Sequence, residues 1–414
     1  MNRRLRGTRG RFAVAFGVMV AAPAVAGAAI LTSGTSSAKP PSDACRDWFA
    51  APAFRREISA GAMVVSKMKR AFAAPGLSVA VAAGGKLVWS RSCGFADLRR
   101  HVPLKRTTQF RIGSVSKPIT AAAAARSQQE GRLDVGADVR EYVPAFPDSR
   151  PTVTLRQLGG HLGGIRHYEG TEALNTKHYR SIADTLNVFI NDPPVAAPGE
   201  RFFYSSYGFN LLGAAVEAVA GAPFAKAVED VLLRPLGMSS TGLGSGAGGS
   251  TTFYEVTPTR RAVVAPRIDL SDRYPSGGFL STTEDLVRLA LGVTDPTFLD
   301  ADSQALLFTS QRTRGGEATG YGFGFEVHSS PFGMLVGHTG NVVGGTSFLL
   351  IHPRTRVIVA LTTNIGFVTA VHPPSLAGAP SPPQLARPFI RHVAAFRSRE
   401  IDRRRRRYAR RSQL

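Results

Sequence analysis

The β-rich runs of this 414-residue chain lie near its two ends, and the stretch between them has helical character. Residues 77–83 and 86–91 flank Gly84-Gly85 and give a strong hairpin signal. Residues 120–243 contain few β-rich runs and several helix stops. An antiparallel sheet with a helical segment inserted between its strands is therefore expected. The later β-rich runs, which predict an antiparallel meander, are residues 321–328, 334–340, 346–352 and 356–363.

Three other segments carry helix signals. Residues 43–73 have apolar side chains at helical intervals and cations near their end, where they favour the helix dipole. Residues 281–284 form a capping box for a helix that reaches about residue 291. Residues 381–396 are interpreted as a last helix.

The net charge of +22 is concentrated at the two ends of the chain. Residues 1–11 carry +5 and residues 397–414 carry +7, which leaves +10 for the body. An excess of that size is a solubility feature, so no nucleic-acid partner is expected. The Arg-rich tail, residues 397–414, is interpreted as a solvated end. In an exported protein its more plausible partners are an anionic membrane surface or anionic envelope polymers.

The N-terminal segment has the layout of an export signal. Five arginines precede the uncharged run 12–31, and small polar residues follow it. Cleavage is expected after Ala24-Val25-Ala26 or Ser36-Ser37-Ala38. The run is also about long enough to span a bilayer, so an uncleaved anchor is the alternative. Residues 1–38 therefore predict an extracytoplasmic protein, periplasmic or secreted.

Cys45 and Cys93 are the two cysteines of the chain. In an oxidising compartment they would form one disulfide, but a buried thiol and a surface thiol are the commoner arrangement for such a pair. His161 and His167 lack the helical spacing of a zinc site and have no acidic partner beside them, so both are interpreted as structural or as residues that support the site without contacting the substrate. No metal and no other cofactor is expected.

A Ser-x-x-Lys spacing, which brings a hydroxyl and an amine to one face of a helix, occurs three times. Ser36 lies in the N-terminal linker, and Ser66 lies inside a predicted helix, where its amide belongs to the helix ladder. Ser114 follows Gly113 at a helix start, where unpaired amides and the helix dipole favour negative charge. Ser114 is therefore the candidate nucleophile and Lys117 its candidate base, although N-capping is the commonest role of such a serine.

Two later stretches contribute further candidates. Tyr204-Ser205-Ser206 lies between an aromatic pair and a predicted helix, and a phenol near a lysine can have its pKa lowered and act as a base. His338-Thr339-Gly340-Asn341 ends a predicted strand, where glycine allows close backbone approach and the Asn341 amide can face a carbonyl oxygen. Taken singly, an aromatic loop and a strand histidine are more often structural.

In this order, the three stretches make the chain similar to the serine β-lactamase and penicillin-binding protein superfamily. The resemblance is to the branch of class C β-lactamases, D-alanyl-D-alanine carboxypeptidases and esterases, and it spans about residues 75–365. Residues 163–169 and the Tyr-Ser-Ser form are most similar to the mitochondrial serine β-lactamase-like proteins and their bacterial relatives. The stretches that carry the resemblance are residues 110–117, 155–165, 203–213, 235–238, 277–286 and 337–340.

The resemblance implies an acyl-enzyme mechanism. Ser114 would attack a carbonyl, Lys117 and Tyr204 would share its proton, and water would release the acyl group. Which of Lys117 and Tyr204 is the base stays open, because the two would titrate as a coupled pair. The amides of Ser114 and Asn341 would hold the oxyanion. The other residues implied to bind substrate are His338, Thr339, Gly340 and Ser206.

Two positions depart from the family pattern. Ser206 replaces an amide side chain that usually binds the acyl side chain of the substrate, and a hydroxyl reaches less far. His338 stands where many relatives have lysine, and its partial charge near neutral pH makes it a weaker anchor for a substrate carboxylate. Both departures favour a peptidase or esterase over an efficient β-lactamase.

The expected fold is α/β: an antiparallel β-sheet flanked by helices, β-lactamase/transpeptidase-like, with an inserted all-helical subdomain. The hydrolase domain is placed at residues 43–396, with its α/β part at about 43–112 and 251–396 and its helical part at about 113–250. The expected function is an exported serine hydrolase acting through an acyl-enzyme on a small-molecule or peptide amide or ester. It would be of the D-Ala peptidase, esterase or weak β-lactamase type. A catalytically silent scaffold or binding protein is the alternative.

Overall fold

The computed structural model describes residues 44–244, 251–366 and 381–411, so the predicted signal at residues 1–38 lies outside the described part. The strands are β1 (Cys45–Ala50), β2 (Gly76–Ala83), β3 (Lys86–Asp97), β4 (Val102–Pro103), β5 (Phe110–Arg111), β6 (Gly242–Leu243), β7 (Tyr254–Val256), β8 (Ala262–Val264), β9 (Phe279–Ser281), β10 (Glu326–Ser330), β11 (Gly333–Val342), β12 (Gly345–His352), β13 (Val357–Thr363) and β14 (Ile365–Gly366). The helices are α1 (Arg55–Ala71), α2 (Ser116–Gln129), α3 (Leu155–Gly159), α4 (Ile182–Leu186), α5 (Ser206–Ala220), α6 (Phe224–Val228), α7 (Tyr274–Gly277), α8 (Thr283–Val293), α9 (Ala301–Phe308) and α10 (Pro382–Arg411).

The main sheet joins the two ends of the described chain. Its strand order is β1-β3-β2-β13-β12-β11-β10, with β4 beside β3, and every neighbouring pair is antiparallel. β2 and β3 form the predicted hairpin, with positive φ at Gly84 and Gly85. β10 to β13 form the predicted meander, and the pairing of β13 with β2 connects it to the hairpin.

Helices cover both faces of the sheet, because the central strands alternate their side chains between two cores. On β2, Val79 and Val81 belong to the core that includes α1 and α10. Ala80 and Ala82 belong to the other core, which includes α2, α5 and α8. The antiparallel sheet flanked by helices is thus the fold that the sequence predicts.

The helix expected over residues 43–73 is wrong in its first part. β1 occupies Cys45–Ala50, and α1 begins only at Arg55. β1 pairs with β3 at the edge of the sheet, where Cys45 lies opposite Cys93 and forms a disulfide with it. The partner strand is 48 residues away, so the local periodicity of the sequence does not reveal the pairing.

Two helix boundaries also differ from expectation. Thr282 caps α8 by accepting a hydrogen bond from the Asp285 amide at 3.2 Å, one residue after the predicted cap. α10 does not end near residue 396 but continues to Arg411, in keeping with the high helix propensity of arginine. Within the described ranges, no single helix is long and apolar enough to cross a bilayer. α5 and Phe224–Leu233 satisfy that criterion only together, across a bend of 77°.

Two glycines bring the helical part close to the sheet. A Cβ on Gly340 of β11 would lie 2.1 Å from the Ile112 carbonyl oxygen. Gly113 has φ +48, and a Cβ there would lie 3.0 Å from backbone atoms of Asn341. Because neither position has room for a side chain, the segment that carries Ser114 packs directly against β11.

Candidate active site

Ser114 and Lys117 lie together where the helical part meets β11. Ser114 is in a 3₁₀ turn at Gly113–Val115, and Lys117 is in the first turn of α2. The Lys117 Nζ atom lies 3.2 Å from Ser114 Oγ. It also lies 3.2 Å from Ser206 Oγ and donates to the Ser276 carbonyl oxygen at 2.9 Å. Of the two other Ser-x-x-Lys copies, Ser66 lies inside α1, as predicted, and Ser36 lies outside the described residues.

Burial controls the charge of Lys117, whose side chain is fully enclosed. Desolvation lowers the pKa of the Lys117 amine well below its usual value, and the nearby Arg273 guanidinium lowers it further, against an opposing effect of Glu326. No carboxylate forms an ion pair with Lys117 among the described residues. A neutral amine beside a hydroxyl can accept its proton, so Lys117 is suited to act as a general base.

Tyr204 lies against the same pair. The Lys117 Nζ atom is 4.8 Å from the centre of the Tyr204 ring. Burial raises the pKa of the Tyr204 phenol above its usual value, and a hydrogen bond with Ser114 only partly offsets this. The expected lowering of the Tyr204 pKa is therefore wrong, because burial opposes the charged phenolate and Lys117 is itself held towards its neutral form. A phenol that stays protonated is better suited to pass a proton on than to remove one.

His161 and His167 hold the segment that follows Tyr204. The Ser205 amide donates to His161 Nδ1, and the Ser206 amide donates to His167 Nδ1, both at 3.1 Å. Each ring therefore carries its proton on Nε2 when neutral. Burial lowers the pKa of His167 to about 3 and that of His161 well below its usual value. These contacts agree with the structural role that the sequence indicates.

His338 is buried and neutral. Its Nδ1 donates to the Thr339 carbonyl oxygen at 2.5 Å, so its Nε2 accepts from the Tyr321 hydroxyl at 2.8 Å. Burial lowers the pKa of His338 to about 4, more than Glu326 raises it. The partial charge expected near neutral pH is therefore absent, and His338 offers even less to a substrate carboxylate than the sequence suggests.

Glu326 is a site residue that the sequence analysis missed. Its Oε1 accepts hydrogen bonds from the Thr339 amide at 3.2 Å and the Thr339 hydroxyl at 3.1 Å. Burial opposes its ionisation, but the hydrogen bond from His328, the attraction of the His338 ring in its protonated form at acidic pH and the Thr339 amide together lower the pKa of Glu326 to about 2. Nothing in the spacing around Glu326 marks it, because its partner lies on the neighbouring strand.

Asn341 is an exposed residue near the end of β11, two positions after Thr339. Alternate residues of a strand point their amides to the same side, so the Asn341 amide points away from β12, as the Thr339 amide does. Asn341 packs next to Gly113, and Gly340 is buried against Ile112. The structure thus brings Ser114, Asn341 and the His338-Thr339-Gly340 segment to one edge of the sheet. Among the described residues, no group of three or more His, Cys, Asp or Glu side chains is placed to hold a metal ion.

A serine, a buried lysine and a tyrosine at the edge of a helix-flanked antiparallel sheet form the arrangement of the β-lactamase and penicillin-binding class of serine hydrolases. The chain belongs to the Beta-lactamase family, whose model matches residues 64–373.

Curated relatives agree with this assignment. The chain is 29% identical over 308 residues to the mitochondrial serine beta-lactamase-like protein LACTB of Homo sapiens, covering 57% of this chain and 56% of the human protein. It is 27% identical over 301 residues to protein flp of Staphylococcus aureus strain MRSA252, covering 70% of this chain and 60% of that protein. The chain thus spans little more than half the length of these relatives.

Solved structures show the same fold. The octameric penicillin-binding protein homologue from Pyrococcus abyssi has a TM-score of 0.64 and 26% identity, covering 74% of this chain and 73% of that chain. D-amino acid amidase from Ochrobactrum anthropi has a TM-score of 0.68 over 82% of this chain and 99% of that chain. At 19% identity, the amidase supports the fold alone.

Proposed function

We propose that this protein is an active serine hydrolase that forms an acyl-enzyme on Ser114 with an amide or ester substrate. The observation that carries the proposal is the buried Lys117 amine, with its lowered pKa, 3.2 Å from the Ser114 hydroxyl. A scaffold without activity has no need to bury an unpaired lysine beside a serine, because burial of an amine costs free energy.

We propose the following steps, which the distances between these residues support. Lys117 takes the proton of Ser114 Oγ as the oxygen attacks the substrate carbonyl carbon, and the amides of Ser114 and Asn341 stabilise the oxyanion. The bond to the leaving group then breaks, and the leaving atom receives the proton from Lys117 through the Tyr204 hydroxyl. Water repeats the sequence on the acyl-enzyme: it gives a proton to Lys117, attacks the ester carbon and releases Ser114 and the acid.

Two features favour an esterase or peptidase over a β-lactamase. The Ser206 hydroxyl lies within hydrogen-bond distance of Lys117, so it is less available to a substrate acyl side chain than an amide would be. His338 is neutral and cannot attract the carboxylate of a penicillin. We therefore propose a substrate other than a β-lactam.

The test is covalent labelling. The protein is treated with a fluorophosphonate and with a penicillin, and the adduct is located by mass spectrometry. We expect the fluorophosphonate to label Ser114 and the penicillin to react poorly. Ser66→Ala is the matched control, because Ser66 has the same spacing from a lysine but lies inside α1. It should label fully, and Ser114→Ala should not label. No adduct on Ser114 with either reagent would favour the silent scaffold.

We also propose export by the segment 1–38 and contact of the Arg-rich tail with anionic surfaces. A mature N-terminus found after residue 26 or 38 would support cleavage, and the intact N-terminus would support an anchor. The tail is tested by sedimentation with vesicles that contain phosphatidylserine or only phosphatidylcholine. The full chain should bind the vesicles that contain phosphatidylserine, and deletion of residues 397–414 should abolish this binding. Each arginine near the surface is expected to contribute about 1 kcal/mol to the binding free energy. Equal vesicle binding by the full chain and the deletion variant would contradict the proposed role of the tail.

A further inference from the structure

The edge of β11 beside the candidate nucleophile carries a negative charge. Glu326 is held against Thr339 by two hydrogen bonds, and its pKa of about 2 keeps it ionised at neutral pH. Its side chain is 19% exposed, so a bound molecule can sense the carboxylate. Because the Thr339 hydroxyl already donates to Glu326, it is not free to donate to a second carboxylate.

Three basic groups near the site, Lys117, His338 and Arg273, do not cancel this charge. Burial favours the neutral amine of Lys117, and His338 is neutral. Arg273 is buried and forms a two-bond ion pair with Asp272 at 2.7 Å. His328 is the titratable neighbour of Glu326 on β10, and its Nε2 lies 3.2 Å from Glu326 Oε2.

The proposed mechanism places the leaving group of the substrate on the Tyr204 side of the site, which borders this edge. In the mechanism above, the leaving atom takes its proton from the Tyr204 hydroxyl. The Tyr204 ring lies 6.2 Å from the ring of His338, which precedes Thr339. A leaving group that reaches Tyr204 therefore extends along the His338-Thr339 side of β11, and towards Glu326.

We propose that the leaving group of the natural substrate carries no carboxylate and is a neutral or amine-bearing alcohol, thiol or amine. This inference rests on the proposed hydrolase function and makes Glu326 a specificity-determining residue. A carboxylate at that position would meet the Glu326 carboxylate, whereas an ammonium group would be attracted by it. The substrate class is then an ester or amide with a neutral or cationic departing part.

The experiment compares three thioesters with the same N-acetylglycyl group and different leaving thiols. The thiols are mercaptoacetate, which is anionic, mercaptoacetamide, which is neutral, and 2-(trimethylammonio)ethanethiol, which is cationic and has no free amine that could take the acyl group from sulfur. Thiol release is followed with a disulfide reagent. We expect kcat/KM to be about tenfold lower for the anionic thiol than for the neutral one, and highest for the cationic one.

Glu326→Gln keeps an acceptor oxygen for Thr339 but removes the charge, so it should reduce the ratio between cationic and anionic thioesters towards the ratio of their rates of hydrolysis by hydroxide. Glu141→Gln, which removes an exposed carboxylate from the helical part, is the matched control and should keep the wild-type ratio. The inference is overturned if wild-type protein prefers the anionic thioester or ignores leaving-group charge. It is also overturned if Glu326→Gln keeps the wild-type ratio.

Failure of the hydrolase function itself looks different. In that case Ser114 takes up no fluorophosphonate, and no thioester is hydrolysed faster than by Ser114→Ala. If Ser114 is labelled but the thioesters are poor substrates, phosphonothiolates with the same three leaving thiols replace them. The rate at which each one modifies Ser114 then decides the charge preference without turnover.

Discussion

His167 offers a sharp test of how Tyr204, the proposed proton donor, is held in place. Its Nδ1 accepts the amide of Ser206, the residue whose hydroxyl lies 3.2 Å from Lys117 Nζ. His167→Leu removes the acceptor and leaves this amide without a partner. An unsatisfied buried amide costs about 1–3 kcal/mol. If that cost falls on the reactive arrangement of Tyr204 and Lys117, the rate drops by about 5- to 150-fold.

His167→Asn separates the hydrogen bond from the imidazole. The Asn side-chain oxygen can take the place of Nδ1 as acceptor, so this variant should recover most of the rate lost in His167→Leu. The assay is the second-order rate constant for fluorophosphonate labelling of Ser114, with the melting temperature measured in parallel. His178→Leu removes an exposed histidine and is the matched control, which should label at the wild-type rate.

Two outcomes would refute the reasoning. If His167→Leu labels Ser114 at the wild-type rate, the Ser206 amide does not position the site. If the Leu and Asn variants are equally slow, the imidazole matters for a reason other than its acceptor. A pH profile adds an independent reading. Because the pKa of His167 is about 3, its protonation cannot cause any loss of reactivity above about pH 5.

Three further predictions concern stability and packing. Reduction of the Cys45–Cys93 disulfide, or its replacement by two serines, should lower the free energy of unfolding by about 4 kcal/mol, because the unfolded chain loses the closed loop. Labelling of Ser114 should persist, because β1 and β11 lie in opposite halves of the sheet. Equal denaturant midpoints with and without the disulfide would contradict the stability prediction. Gly340→Ala should slow labelling at least tenfold, because the added methyl forces β11 away from Ile112. Gly242→Ala has open space around it and should label normally; equal rates would count against the packing argument. The pKa of His338 is about 4 in the folded state and about 6.5 in the unfolded chain, so the folded state binds fewer protons. The free energy of unfolding should fall as pH drops from about 6.5 to 4, and His338 contributes at most about 1.4 kcal/mol per pH unit to this fall. In denaturant melts, His338→Gln should make the free energy of unfolding less dependent on pH. An unchanged pH dependence would show that His338 is not its cause.

The parts of the fold that depend on local signals could be predicted from the sequence. Gly84-Gly85 between two β-rich runs predicts the hairpin, and regular turns predict the meander. Ser114 stands out among three equal spacings because a glycine and a helix start accompany it. β1 could not be predicted in the same way, because its strand character depends on pairing with β3 and on the bond from Cys45 to Cys93.

The electrostatic details of the site depend on burial, which spacing does not show. Tyr204 was expected to have a lowered pKa because a lysine is near, and desolvation reverses the direction. His338 was expected to carry partial charge, and it is neutral for the same reason. Glu326 on β10 accepts a hydrogen bond from Thr339 on the neighbouring strand β11, and only the pairing register of these two strands brings the residues together.

The pairing of β13 with β2 has a consequence for folding. Ala82 pairs with Ile358, so the middle of the sheet cannot close until a strand from each end of the described chain is available. Contacts of such long sequence separation slow the folding of a domain. Ser114 belongs to the earlier part of the chain, whereas Asn341 belongs to the last strands. During synthesis Ser114, the candidate nucleophile, therefore emerges long before Asn341, and we expect the candidate site to be incomplete until the meander docks.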